Sequence, residues 1–307
     1  MSNQKPRTIE EQIKLLRSRG MQFSSEEYAK ECLSHISYFH LKYYWTDMID
    51  EETEHDFLED ASFDDVIARY NFDRSLRLIL FDAIEIIEVA LRAKIINHLS
   101  QAKDSGLWYL DESLFEKMEY YEDFLLDLKY EFERSTEPFA KEYIAKHLDW
   151  DSESMEGDNP DAWMILEVAT FGTLSKMYKN LKSQLPQRAT IANDFGLYSA
   201  KELSSWLEAI SVLRNIIAHH SRLWNRSLAK QPMNIKGHRD KWLNIPFTDN
   251  QKKKPYGVIT AMLYLCNAVY PENQIKVKIL SLLDNSKDIP YGKLGFTGNW
   301  RNEPIWK

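Results

Sequence analysis

Residues 72–99, FDRSLRLILFDAIEIIEVALRAKIINHL, are the longest amphipathic stretch of the chain. Apolar side chains recur there every three or four positions, which places them on one face of an α-helix. This face consists of Leu76, Leu80, Ile84, Ile87, Leu91 and Ile95. The pattern predicts a long helix that packs by this face against the core and is broken at Gly106. A separate helix that begins near Ser62 is predicted to precede it.

The composition extends this prediction to an all-α fold. Only 10 of the 307 residues are Gly and 10 are Pro, too few turn formers for many short strands. A hydrophobic content of 44% is ample for a core. Near the N-terminus, Thr8 and Glu11 match a capping box, so a helix is predicted that starts after Thr8 and ends at Gly20.

Residues 213–226, LRNIIAHHSRLWNR, hold the densest group of chemically active side chains. If the whole stretch is one helix, with 100° of rotation per residue, it has a polar face and an apolar face. His219 then borders the polar face, whereas His220 is predicted to point into the apolar one. The polar face consists of Arg214, Asn215, Ala218, His219, Arg222, Asn225 and Arg226.

An arginine followed at this distance by a histidine suits metal-free cleavage of RNA. In that reaction a 2′-hydroxyl attacks the neighbouring phosphate, a base takes its proton, and an acid protonates the leaving 5′-oxygen. His219 could be the base or the acid, because histidine exchanges protons near neutral pH. Arg214 could bind the phosphate and stabilise the charge of the transition state. Asn215 could orient the phosphate or the imidazole.

The spacing alone is not specific. With four to six residues allowed between the two, the arginine and histidine content predicts roughly one chance match, and Arg92 with His98 also fits this range. We expect His98 at the surface or at a helix cap. Glu88 and Arg92 lie one helical turn apart and can pair with each other, or they could instead orient Arg214 and His219.

The chain resembles the abortive-infection (Abi) proteins of the D/F-like group, which are bacterial phage-defence proteins of the HEPN superfamily. The resemblance rests on RNIIAHHSRLWNR and on segments along nearly the whole chain, at residues 5–21, 34–45, 70–95, 163–182 and 295–306. It implies an all-helical, usually dimeric HEPN ribonuclease whose arginine and histidine come from an R-x4-6-H motif. Those two residues correspond to Arg214 and His219, with Asn215 beside them. The resemblance of EVALR suggests that Glu88 and Arg92 support the site.

Charge is unevenly distributed along the sequence. The whole chain has a formal net charge of −8, which argues against indiscriminate binding of nucleic acid. Residues 213–254 nevertheless carry ten basic side chains against two acidic ones, a net charge of +8. This asymmetry predicts an anionic partner that docks near the motif, with a solvated basic segment as the alternative.

The remaining composition bears on cofactors and location. Cys32 and Cys266 are far apart and lack neighbours of metal-binding type, which predicts neither a disulfide framework nor a zinc site. No metal-site spacing and no glycine-rich nucleotide motif occurs, so we predict no metal and no cofactor. No apolar run approaches the roughly 20 residues that span a bilayer, and the N-terminus lacks a signal-peptide core. We therefore expect a cytoplasmic protein without a membrane partner.

Three segments are predicted. Residues 1–60 form an N-terminal helical extension, residues 61–285 a HEPN-type helical bundle with the motif, and residues 286–307 an aromatic tail that packs on the body. In the extension, aromatic side chains interleave with His and Lys at 38–45 and could stack nucleobases, although packing is the commoner role. Asp151 to Asp161, rich in Asp, Ser, Gly and Pro, is predicted to be a loop.

The residues and the resemblance together favour a metal-independent, toxin-like endoribonuclease that acts in phage defence by abortive infection. We expect RNA as the substrate and products with 2′,3′-cyclic phosphates. Arg214, Asn215 and His219 are the predicted catalytic side chains, and the supporting ones are His220, Arg222, Asn225, Arg226, Glu88 and Arg92. The alternatives are a non-catalytic HEPN module that binds RNA or a protein, and a purely structural role for Arg214 and His219.

A homodimer is predicted because Arg214 and His219 diverge by about 140° on a regular helix. Either the helix deforms at Ala218, or a two-fold axis brings a second copy of the polar face opposite the first. The two-fold axis would also supply the second histidine. The alternative is a monomer in which His220 or an outside residue acts as the second group. A protein antagonist and a small-RNA antagonist are both open as partners that silence the enzyme.

Overall fold

The computed structural model describes residues 5–147 and 158–307. In these ranges the chain forms α-helices, short 3-10 turns and isolated β-bridges, but no β-strand, as the sequence predicts. The predicted loop Asp151 to Asp161 lies mostly outside the described residues. The α-helices of the described part are α1 (Ile9–Ser18), α2 (Glu26–His35), α3 (Tyr38–Lys42), α4 (Phe63–Lys103), α5 (Met118–Glu133), α6 (Pro138–Lys146), α7 (Ala162–Ile165), α8 (Phe171–Asn180), α9 (Pro186–Asp194), α10 (Ala200–Ala218), α11 (Asp249–Lys253), α12 (Pro255–Val269) and α13 (Ile275–Asp284).

Helix α4 is the central element, and its 41 residues extend about 60 Å. The hydroxyl of Ser62 caps its start by accepting the backbone N–H of Asp64 at 3.1 Å, and Asp104 ends it in the left-handed conformation, φ 49°. The helix therefore unites the two helices that the sequence predicts, and its last residue, Lys103, lies three positions before Gly106. All six members of the predicted apolar face are buried, which confirms the predicted orientation.

The other helices pack around α4 in a way that fixes the position of the motif. Helices α9, α10, α12 and α13 all contact α4. Helix α10 also packs against α8, which in turn packs against α5. Residues 255–266 of α12 are buried on every side. The α10 backbone is consequently held by α4, α8 and α12 together.

The N-terminal segment joins this body through α3 and α4. The predicted capping box of α1 is present, with Thr8 and Glu11 exchanging hydrogen bonds of 2.8 and 3.2 Å. In the aromatic cluster at 38–45, Tyr44 and Trp45 are fully buried, so packing is their role. Phe39 and Tyr43, in contrast, remain exposed.

The last residues of the chain lie against α12. Phe296 packs edge-on against Tyr256 with ring centroids 5.0 Å apart, and Trp306 stacks on the same tyrosine at 6.1 Å. One cluster of buried apolar side chains runs from Ile13 to Trp306, while the predicted boundaries at residues 60 and 285 stay predictions. Within the described ranges, every helix is too short or too polar to cross a bilayer.

Candidate functional site

Helix α10 carries Arg214 and Asn215 and ends at Ala218, in the middle of the predicted motif helix. After His219, the N–H of His220 donates to the carbonyl of Ile217 at 2.9 Å, and the N–H of Ser221 donates to that of Ile216 at 2.9 Å. These two bonds, with a left-handed residue between them, form a Schellman motif, which satisfies carbonyl groups at a helix end. The prediction of one helix through residue 226 is therefore wrong.

His220 occupies the left-handed position of this motif, with φ 54°. That position usually holds glycine, but histidine enters the left-handed region more readily than most residues. Its side chain is exposed. The prediction that His220 points into an apolar face is wrong, because the chain reverses direction before the predicted helical register can place it there.

A buried carboxylate on α4 fixes the chain just beyond the turn. Asp73 accepts the N–H of Leu223 at 3.0 Å and that of Trp224 at 2.7 Å. It also accepts the hydroxyl of Tyr44 at 2.8 Å and lies 3.3 Å from Nε of Arg77. Burial raises the pKa of Asp73, and the hydrogen bonds and Arg77 oppose that shift. We call Asp73 and these donors the Asp73 anchor; it holds the segment after His219 in place.

The polar side of α10 faces an open cleft of about 920 Å³ between α5, α8 and α10. Arg214 and Asn215 both lie in its wall, together with Thr170 and Thr173 from the start of α8. Five acidic and five basic side chains line the cleft, so the lining as a whole is close to neutral. The cleft can therefore bind a phosphate at a particular cation but does not attract anions by its overall charge.

Arg214 differs from two lysines that line the cleft with it, Lys176 and Lys179. Lys176 pairs with Asp127 at 2.9 Å, and Lys179 pairs with Glu208 at 2.8 Å. Arg214 is half-buried, and within the described residues its guanidinium has neither a hydrogen bond nor an ion pair. A partly desolvated guanidinium without a carboxylate is poised to take an anion, and its planar donors suit a phosphate.

His219 lies at the end of α10 rather than in the cleft. Its φ of −87° and ψ of 13° keep the backbone close to helical, so its side chain is rotated by roughly 140° from that of Arg214. The imidazole is exposed and is not among the residues that line the cleft. One protomer thus presents the two predicted catalytic side chains in different directions.

Glu88 and Arg92 pair with each other, with Arg92 Nη2 3.1 Å from a Glu88 carboxylate oxygen. Arg92 also donates to the carbonyl groups of Leu166 and Ala169, at 3.0 and 2.9 Å. Ala169 precedes Thr170, which caps α8 and lines the cleft. These residues support the wall opposite Arg214; neither of them lines the cleft with it.

The remaining predicted residues follow the turn and lie apart from the cleft lining. Nη1 of Arg226 donates to the backbone carbonyl of Arg222 at 3.3 Å, and Asn225 accepts a hydrogen bond from Lys254 Nζ at 2.9 Å. Because α10 ends at Ala218, Arg222, Asn225 and Arg226 form a second group instead of sharing a helical face with Arg214. Among the described residues, no three His, Cys, Asp or Glu side chains are arranged to hold a metal ion.

Asp73 and Lys254 were not predicted as site residues from the sequence. Asp73 carried a signal, because it lies three residues before Leu76 and so extends the apolar face of α4 with a charged residue. A charged side chain on a buried face needs hydrogen-bond donors or an opposite charge to compensate its burial. Lys254 carried no comparable signal, since it is one of three consecutive lysines and only the fold turns it towards Asn225. His98 lies near the surface, where it contacts Asp194 at 2.8 Å.

Comparison with known proteins gives one match. The family model described as Abi-like protein matches residues 31–225, which include the second half of α2, the helices α3 through α10, the turn after α10 and the Asp73 anchor. No curated protein and no solved structure shows significant similarity to the chain.

Proposed function

The chain belongs to the Abi-like protein family, and from this premise we propose that it is a metal-independent endoribonuclease of the HEPN type. It acts in phage defence by abortive infection, arresting the infected cell through cleavage of RNA. The observation that carries the proposal is the half-buried guanidinium of Arg214, which lies in an open cleft and has no carboxylate partner among residues 5–147 and 158–307.

In this proposal Arg214 binds a non-bridging oxygen of the scissile phosphate. The 2′-oxygen of the preceding ribose attacks the phosphorus, and a histidine accepts its proton. The bond from phosphorus to the 5′-oxygen breaks, and an acid protonates that oxygen. Arg214 stabilises the additional negative charge between these two events, while Asn215, the next residue on α10, orients the phosphate.

The divergence of Arg214 and His219 motivates the second part of the proposal, a homodimer with a composite site. A two-fold axis at the end of α10 brings His219 of one copy towards Arg214 of the other. It also places two histidines near one phosphate, so that one can act as base and the other as acid. A single exposed His219 cannot perform both roles in the same step.

One observation favours a second candidate function, a non-catalytic HEPN module that binds RNA or a protein. His219 is absent from the cleft lining in a single protomer, and a module that only binds its partner does not require the two side chains to converge.

The decisive experiment is incubation of the purified protein with total RNA, accompanied by expression toxicity in cells so that a dormant enzyme is also detected. Arg214→Ala and His219→Ala should each abolish both readouts. His55→Ala is the matched control, because it removes an exposed histidine outside the motif and outside the cleft lining. Full toxicity and cleavage in His219→Ala would exclude the catalytic proposal.

A further inference from the structure

Four basic side chains lie together on the far side of the turn, and we call them the basic cluster: Arg222, Arg226, Lys254 and Lys293. The neighbours are close enough for their charges to interact. Burial and the charge of Arg226 lower the pKa of Arg222. Burial and the charges of Arg222 and Lys293 lower the pKa of Lys254.

Few carboxylates balance this cluster. Asp47 lies 3.5 Å from Lys293, but it is also 2.9 Å from Arg69. Asp73 is fully buried and engaged in its anchor. Of the described carboxylates, none lies within ion-pair distance of Arg222, Arg226 or Lys254. Partly buried cations that repel one another favour an anion from outside the chain.

The fold brings the cluster together from three parts of the chain. Arg222 and Arg226 follow α10, Lys254 lies between α11 and α12, and Lys293 belongs to the C-terminal segment. Gly295 lets the C-terminal segment with Lys293 come close to Lys254, because a Cβ atom at position 295 would lie only 2.8 Å from Cβ of Lys254. The segment of three consecutive lysines at 252–254 thereby contributes one side chain to the cluster.

Exposed aromatic rings stand next to the cluster on α3. The guanidinium of Arg222 lies over the ring of Tyr43 at 4.8 Å from its centroid, yet 46% of Tyr43 remains exposed. Phe39, four residues earlier and so on the same side of α3, is 72% exposed. Exposed rings beside cations are the arrangement by which proteins stack the bases and neutralise the phosphates of single strands.

The cluster is also close to the proposed catalytic histidine. Arg222 follows His219 by three residues, so their Cα atoms are at most about 11 Å apart. The cleft, in contrast, is nearly neutral and cannot supply the attraction for a polyanion. Arg222 is therefore within reach of a strand whose scissile phosphate lies at His219.

We propose that the basic cluster, with Tyr43 and Phe39, is a binding site for single-stranded RNA beside the cleavage site. The cations contact phosphates, and the two rings stack unpaired bases. This inference deepens the proposed ribonuclease function and rests on it for the identity of the ligand. It also gives a defined surface to three of the ten basic side chains of residues 213–254, namely Arg222, Arg226 and Lys254.

The test measures binding separately from cleavage. A fluorescein-labelled single-stranded RNA of twelve nucleotides is titrated by anisotropy at several salt concentrations, in a His219→Ala background that prevents cleavage. Arg226→Gln with Lys254→Gln should raise Kd at least tenfold and reduce the salt slope by about 1.4, because two phosphate contacts are lost. The matched control is Lys201→Gln with Lys287→Gln, two exposed lysines that form no ion pair with any described residue, and it should leave both values nearly unchanged.

A second set of variants tests the stacking of bases on the aromatic rings. Phe39→Ala and Tyr43→Ala should each raise Kd about fivefold or more with little change in the salt slope, whereas Tyr270→Ala, another exposed aromatic, should not. Thermal unfolding checks that each variant is folded. Equal Kd values for the double variant and its lysine control would overturn the site, and equal affinity for a duplex of the same length would overturn the stacking. Displacement of the RNA by equimolar polyglutamate would reassign the surface to an acidic protein.

The two proposals can fail independently. A protein that binds RNA through the basic cluster but never cleaves it refutes the ribonuclease and leaves the binding site. A protein that cleaves RNA with undiminished affinity after Arg226→Gln and Lys254→Gln refutes the binding site alone.

Discussion

Asp73 and Trp224 are joined by a hydrogen bond of 2.7 Å between a buried carboxylate and a backbone N–H. The two residues are 151 positions apart in the sequence. This bond, with that of Leu223, holds the chain after His219 against α4, so the anchor positions both the turn that carries His219 and the start of the basic cluster.

Asp73→Asn should lower the free energy of unfolding by about 3–5 kcal/mol, because it leaves Arg77 without its buried carboxylate and presents an amide N–H₂ to groups that are themselves donors. Urea unfolding followed by circular dichroism measures the change. Glu85→Gln is the control, since Glu85 is exposed on the same helix and should change stability by less than about 0.5 kcal/mol. If the two variants are equally stable, the anchor does not stabilise the fold.

His220 should respond to substitution through its backbone rather than its side chain. His220→Gly removes the steric cost of a Cβ atom at φ 54° and should raise the free energy of unfolding by up to about 1 kcal/mol. His220→Val should lower it by about 1–2 kcal/mol, because a β-branched side chain is disfavoured in this region. The comparison is His219→Val at φ −87°, which should cost less. Equal effects of valine at 219 and 220 would contradict this account of the turn.

Mixed subunits should restore activity if the site is shared. Arg214→Ala and His219→Ala proteins are each expected to be inactive alone. Subunit exchange between them should recover a small part of the cleavage, since one composite site of the heterodimer then pairs an intact Arg214 with one intact His219 as the base, and solvent water replaces the second histidine as the acid. A mixture of Arg214→Ala with an Arg214→Ala, His219→Ala protein is the control and should stay inactive. Monomeric mass during active turnover would rule out the composite site.

The products should identify the attacking oxygen. Attack by the 2′-hydroxyl leaves a 2′,3′-cyclic phosphate and a free 5′-hydroxyl, and a chelator such as EDTA should not change the rate of cleavage. End-group analysis of the cleaved RNA distinguishes this reaction from attack on the phosphorus by a metal-bound water, which leaves a 3′-hydroxyl and a 5′-phosphate. The latter products, or loss of cleavage in EDTA, would exclude the proposed chemistry.

Local patterns allowed the sequence to predict much of the fold. The apolar face of α4 and the capping box of α1 depend on residues three or four positions apart, and both were predicted correctly because helix geometry relates such neighbours directly. The end of α10 was not predicted, since no Gly or Pro marks it. His220 takes the position that glycine usually fills, and a carboxylate 150 residues away holds Leu223 beyond it.

The candidate site likewise has a part that local sequence patterns predicted and a part that depends on distant residues. Arg214 and Asn215 were correctly placed on a helix, because the apolar residues from Leu203 to Ile217 determine its register. Arg222, Asn225 and Arg226 were assigned to the same face, yet the turn directs them elsewhere. Their neighbours Lys254 and Tyr43 come from distant segments, and no spacing within one sequence relates those segments.

The Asp73 anchor also imposes an order on the folding of the protein during its synthesis. At the roughly 5–20 residues per second of translation, about 8–30 seconds separate the synthesis of Asp73 from that of Trp224. During this interval the carboxylate lacks the backbone partners that compensate its burial, and water must continue to solvate it. The amino-terminal part of α4 can therefore reach its final packing only late in synthesis. A nascent chain that has not yet reached Trp224 has neither the anchored turn nor the basic cluster, and so it lacks the proposed binding site for RNA.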